Sequence, residues 1–195
     1  MRIFLSALIL IFSFQFLVKA EDITEFEIEG ISVGDTLLQF ATNEEIKISE
    51  NNSSIMKDKN GKDRFIIIFL DTIPLQEYED LQITYKINDK NYKIHAIDGG
   101  INFPDNFEKC KNKMKEIVID LENVFTKLKP RNLEGKHLAD ESGESIHKST
   151  FFDLSNGTVH VWCTLWSDKV NYGDGLNVSL RSKEYTDFLQ NENSY

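Results

Sequence analysis

Phe107, Cys110, Met114, Ile117, Leu121, Val124 and Leu128 recur at alternating steps of three and four. That spacing draws one apolar stripe along a helix of about six turns, with Lys109, Lys111, Lys113, Lys115, Asp120 and Glu122 mostly on other faces. Asp105 or Asn106 stands where an N-cap is needed, and Pro130 follows the end. Most other patterns have period two. Phe26 and Ile28 alternate with Glu27 and Glu29 in a short strand ending at Gly30. Leu81, Ile83, Tyr85 and Ile87 alternate with Gln82, Thr84, Lys86 and Asn88. Residues 88–91 then turn the chain, and residues 92–97 return as a hairpin partner, with a break at Asp98-Gly99-Gly100. Residues 65–70 are continuously apolar and read as an interior strand covered on both faces.

The last third is the clearest β signal. Asn156-Gly157 is a strong two-residue turn between strands at 149–155 and 158–167. That turn pairs Leu154 with Val159, Phe152 with Val161 and Thr150 with Cys163 on one face. Asp153 then faces His160, and Phe151 faces Trp162, on the other, with Trp166 beyond. Leu176, Val178 and Leu180 alternate with Asn177 and Ser179, and Tyr185, Phe188 and Leu189 suggest a closing helical turn. Thr42-Asn43-Glu44-Glu45 has capping-box spacing, which places a helix across about residues 35–48, restarting at Thr42, as a candidate cover for the second sheet face. Residues 50–62 and 129–148 read as loops. The fold class is α+β: a single domain at 21–195, mainly antiparallel sheet, with one long helix (about 105–128) packed on one face. No internal repeat is visible.

Residues 3–18 are apolar apart from Ser6, Ser13 and Gln15, and small residues follow at 18–20 before Glu21-Asp22. Residues 1–20 read as a secretory signal peptide, with an uncleaved anchor as the rival. The expected location is therefore outside the cytoplasm, periplasmic or extracellular, with no membrane insertion after cleavage. Arg2 and Lys19 lie in that segment, so the rest carries 20 of the 22 basic residues against all 32 acidic ones, a net of −12. Such a balance opposes nucleic-acid binding. Cys110 lies on the helix stripe, and Cys163 shares a strand face with Val159, Val161 and Leu165. In an exported chain this even pair is a disulfide candidate; two buried free thiols are the alternative.

Phe151, Asp153, His160, Trp162 and Trp166 form the leading constellation. The aromatic rings suit a groove for an apolar or peptide ligand. An Asp beside a His can orient an imidazole for acid–base work, but no nucleophile accompanies them. The bland alternative is a second packed layer with a cross-strand Asp–His pair. His137, Asp140, Glu141, Glu144 and His147 crowd the 129–148 loop without any familiar ligand spacing, so a solvated acidic loop is the default and no metal or cofactor is assigned. Residues 58–63 faintly resemble a calcium loop, but Lys62 takes a ligand position and Phe69 stands where the closing Glu belongs. No G-x-S-x-G, phosphate loop or dinucleotide fingerprint is present. Asn51, Asn52, Asn156 and Asn177 open N-x-[ST] sequons, relevant only in a glycosylating pathway.

Phe26-x-Ile28-x-Gly30-Ile31-Ser32-x-Gly34-Asp35-x-Leu37-Leu38, followed by Glu44-Glu45-Ile46, resembles the opening of small exported bacterial proteins of unknown function. The resemblance implies export and a small α+β domain, and carries no catalytic residue to transfer. The expectation is an exported, non-enzymatic binding or envelope protein for an unknown protein or small-molecule ligand. The alternative is an exported hydrolase using His160 or the His/acid loop.

Overall fold

The computed structural model describes residues 22–191. The apolar N-terminal run and the cleavage pattern after it lie outside the described residues. Among these, no helix is long and apolar enough to cross a membrane.

The chain opens with a small hairpin of β1 (Glu27–Ile28) and β2 (Ile31–Ser32). It continues through a 3-10 turn, Leu37–Gln39, to α1 (Asn43–Glu50), β3 (Ser54–Lys57), β4 (Asp63–Phe69), β5 (Asp80–Lys86) and β6 (Ile94–Asn102). The second half runs α2 (Phe107–Val124), β7 (Arg131–Lys136), β8 (Ile146–Asp153), β9 (Gly157–Leu165), β10 (Gly175–Ser182) and α3 (Lys183–Asn191). Strands β3 to β10 form one antiparallel sheet in the order β3-β4-β5-β6-β10-β9-β8-β7. Two four-stranded meanders, each preceded by a helix, thus meet where β6 pairs with β10. The sequence shows no repeat, yet the plan occurs twice.

One face of the sheet is apolar. Ile66, Ile68, Leu81, Ile83, Ile97, Leu176, Val178, Leu180, Val159, Val161 and Phe152 pack there with Ile46 of α1 and Met114 of α2. Asn106 caps α2 by accepting from the Lys109 N–H, and Asp105 takes a left-handed φ of 56° beside it. The helix stops at Val124, short of the expected 128. Phe125 leaves helical geometry and puts its ring between Phe26 and Phe152, at centroid distances of 4.9 and 5.2 Å. Cys110 and Cys163 are disulfide-bonded, with Cα atoms 6.0 Å apart, and tie α2 to β9.

The opposite face carries α3, whose Tyr185, Phe188 and Leu189 cover Phe65 and Ala96. Ser182 caps α3 by accepting from the Tyr185 N–H, and Lys86 pairs with Glu184 at 2.5 Å. Phe65 is therefore buried beneath α3 while Ile66 and Ile68 face the core, but Phe69 is 45% exposed, so the apolar run is covered on both faces only in part. The second cover is α3, not the helix expected at 35–48: α1 lies on the same face as α2, with its capping box of Thr42 and Glu45 in place.

Three further expectations need correction. The Glu27–Ile28 strand pairs only with β2 and stays out of the main sheet. Gly99 and Gly100 do not break the chain; β6 runs straight through them. A Cβ at Gly99 would lie 2.6 Å from the Tyr78 ring, and one at Gly100 would lie 2.6 Å from the Asp80 carboxylate, so these glycines admit close neighbours. Tyr78 is held there because the Glu29 carboxylate accepts from the N–H groups of Gln76, Glu77 and Tyr78 at 3.0, 2.8 and 3.0 Å. Finally, the loop at 129–148 contains β7. All six of its residues are exposed, so no burial pattern marks it as a strand.

The bond Cys110–Cys163 closes a loop of 53 residues. Replacing both cysteines by Ala is expected to lower unfolding free energy by about 4 kcal/mol in the chain-entropy account. Urea unfolding checks this, and a loss below about 1 kcal/mol would show that α2 is held by packing alone.

Candidate functional site

The β8–β9 hairpin turns one residue earlier than Asn156-Gly157 implies. Leu154 donates to the Gly157 carbonyl at 2.8 Å, leaving Ser155-Asn156 as the two-residue turn. Asn156 is held by the N-terminal segment: its Oδ1 accepts from the Ile23 N–H at 3.0 Å, and its amide donates to Asp22. Gly157 enters β9, where a Cβ would lie 2.4 Å from the Arg181 carbonyl oxygen. The register consequently slips by two: Phe151 faces His160, Ser149 faces Trp162, and Asp153 faces Thr158. A slip of two preserves which residues share a face. It abolishes the Asp153–His160 pair. Asp153 instead accepts from Arg131 at 3.4 Å and from the Thr158 hydroxyl at 3.3 Å.

On this face, opposite α2, the side chains form a continuous stack. The Arg131 guanidinium lies 4.1 Å from the Phe151 ring centroid. Phe151 stacks on His160 at 3.9 Å and 8°, and His160 on Trp162 at 4.2 Å and 19°. Arg181 closes the row 5.5 Å from Trp162. Its Nε donates to Ser179 at 2.8 Å and its guanidinium pairs with Asp98 at 3.7 Å across β6. Burial pushes the Asp98 carboxyl up while Arg181 pulls it back.

Trp166 does not join that row. It belongs to a second ladder at the other end of β8 and β9, where Tyr172, Trp166, His137 and His147 follow at 4.7, 4.3 and 5.0 Å. The His147 Nδ1 meets the Thr164 hydroxyl at 3.1 Å, and its Nε2 meets the Ser149 hydroxyl. The rest of the loop is spoken for. The Asp140 carboxylate accepts from the Ser142 and Ser145 N–H groups and from the Ser145 and Ser167 hydroxyls. Ser145 first, then Ser142, hold it far below the usual carboxylate range. Glu144 pairs with Lys169. Among the described residues no three His, Cys, Asp or Glu side chains converge in a metal-holding group.

Ser149 and His147 make the hydroxyl–imidazole contact that a nucleophile needs, but other features oppose that chemistry. Ser149 is 1% exposed. Burial and the neighbouring His137 push the His147 imidazole down to about 4, a weak base. A threonine, not a carboxylate, stands behind it. Sequence reasoning missed Arg131, which sat in a stretch read as loop, Tyr172, which follows the expected strand at 158–167, and Arg181, Asp98, Ser149 and Thr164, whose positions depend on strand order. No protein-family model, curated protein or solved structure matches this chain.

His160 is 3% exposed, and among the described residues neither ring nitrogen has a hydrogen-bond partner. Burial, then Arg181, His147 and Arg131, hold its pKa well below the ordinary value of 6.5. The unfolded chain therefore takes up a proton as pH falls below 6.5 and the folded chain does not. Stability conferred by the neutral imidazole is complete above that pH and declines below it, by about 1.4 kcal/mol per pH unit for one proton. His160→Phe keeps the stack and removes both unpaired nitrogens. Its unfolding free energy at pH 7 is expected to match or exceed the parent's, with a shallower decline between pH 6.5 and 4.5 in urea titrations. An unchanged slope would show that His160 is charged in the native state.

Proposed function

We propose that this chain is an exported, non-enzymatic binding protein that holds its ligand on the aromatic face of β8 and β9. The carrying observation is that this face is only partly covered. Phe151, Trp162 and Trp166 are half-buried, and Tyr172 is 64% exposed. Large rings that α3 and the 137–145 loop leave in reach of solvent suit a ligand with flat apolar surface. The N-terminal apolar run and its cleavage pattern support export, as does the disulfide, which persists in oxidising compartments. The net charge of −12 beyond that run disfavours nucleic acid.

Native mass spectrometry of the protein recovered from its own exported fraction is expected to show extra mass that leaves on denaturation. Trp166→Ala is expected to lose that mass while keeping its circular dichroism spectrum. A bare parent protein, or a variant that retains the adduct, would remove this face as the ligand site.

A hydrolase is the second reading, favoured by the Ser149–His147 contact. A serine-directed fluorophosphonate is expected to leave Ser149 unlabelled at pH 7.5, since the hydroxyl is buried and its base weak. Stoichiometric labelling that His147→Ala abolishes would reverse the order of the two readings.

A further inference from the structure

We propose that His137 is a proton-sensing latch: its protonation breaks the Ala139 hydrogen bond and loosens the turn at 137–140 beside His147. The Ala139 N–H donates to His137 Nδ1 at 3.1 Å, so in this conformation Nδ1 carries no proton and the neutral ring holds its hydrogen on Nε2. A proton added to Nδ1 converts the acceptor into a donor facing another donor. The bond cannot survive it. That bond and the Asp140 N–H to His137 carbonyl contact, at 3.2 Å, define the turn.

The surroundings compensate the new charge only in part. His137 meets His147 of β8 edge to face at 5.0 Å and Trp166 at 4.3 Å, with Tyr172 beyond Trp166. From its own loop the ionised Asp140 carboxylate, held by Ser142, Ser145 and Ser167, favours the charge, while burial of the ring opposes it. Lys136 precedes it in the chain and reaches over Gly143, while Glu144 is paired to Lys169. His147 faces the Thr164 and Ser149 hydroxyls and His137, and among the described residues no carboxylate is hydrogen-bonded to either ring. Beyond it lies His160, bracketed by Arg131 and Arg181. A cation on His137 therefore stands beside a second imidazole in a row of neutral rings, and the pair must titrate in two separated steps. Burial lowers the pKa of both rings, so the first step falls below 6.5.

The other anchor of the loop resists acid. Asp140 stays ionised far below the pH at which His137 charges, because four donors hold its carboxylate. The latch end of the loop thus opens while the Asp140–Ser145–Ser167 knot stays closed. The latch as a control on ligand access rests on the binding reading above; the proton-driven opening does not.

The test follows the ligand-free protein by NMR from pH 7.5 to 4.5, tracking the His137 ring protons and the Ala139 and Ser145 amides. The Ala139 amide is expected to shift with the same midpoint as the His137 ring, below 6.5. Its exchange protection, corrected for the intrinsic rate, is expected to fall about tenfold while that of Ser145 is kept. His137→Gln, which cannot take up the proton, is expected to abolish the transition. An Ala139 amide indifferent to the His137 titration would overturn the latch. So would joint loss of Ser145 protection, or a transition that survives in His137→Gln. Because the first readout uses the parent protein, a variant that fails to fold leaves the test intact. Should the latch titrate as expected with no ligand ever recovered, the binding reading alone fails.

Discussion

The pairing of β6 with β10 is the contact on which the rest of this structure depends. It joins two meanders that are each built from strands adjacent in sequence, and its register decides what lies on either side of the seam. Leu180 opposite Ile97 and Leu176 opposite Ile101 present an apolar surface to α2. Ser179 opposite Asp98 presents a polar one, completed by Arg181. Taking a carboxylate and a guanidinium out of water is costly, and their attraction offsets that cost only while both are present. A slip by one residue would turn over the strand that slipped, either burying Asp98 of β6 against the helix or exposing the leucines of β10. The seam therefore fixes its own register from both faces.

The unequal fate of the two faces follows. Helices α1 and α2 each precede their own meander and lie on the same side, so the apolar face is closed along both halves. Among the described residues α3 is the helix on the opposite side, and its aromatic residues centre on Phe65 and Ala96 in the first half. The second half must cover its outer face by other means. It does so with flat side chains laid against one another: Arg131 on Phe151, Phe151 on His160, His160 on Trp162. Stacking encloses His160 between Phe151 and Trp162.

Those parts that depend on local pattern are legible in the sequence, and those that depend on non-local pairing are not. The alternating steps from Phe107 to Val124 specify α2, though not its end, and the joint placement of Cys110 and Cys163 on core-facing positions points to their bond. The residues sharing the outer face with Trp162 follow from period two alone, since an even slip in register leaves them unchanged. The identity of the His160 neighbour does not follow. It turns on whether the chain reverses at Asn156-Gly157 or one step earlier, and that is decided by Ile23, Asp22 and Arg181, all remote in sequence. The glycine pair at 99–100 misleads for a related reason: glycine marks close approach as often as a turn, and Tyr78 and Asp80 are invisible as neighbours until the strands are ordered. β7 carries no pattern because it has no buried residue to impose one.

The candidate face is electrically quiet in a strongly acidic chain. Its histidines are held neutral by burial, while Arg131 is matched by Asp153 and Arg181 by Asp98. These two cations thus have partners on the face, which shortens the reach of their fields toward a ligand. Affinity at such a surface must come from ring contact and from water displaced off half-buried aromatics, with orientation set by the few hydroxyls and amides at the margin. That arrangement also makes a single added proton consequential. Where charges are already abundant one more is screened, but among paired charges and neutral imidazoles it changes the sign of a hydrogen bond and the local field together.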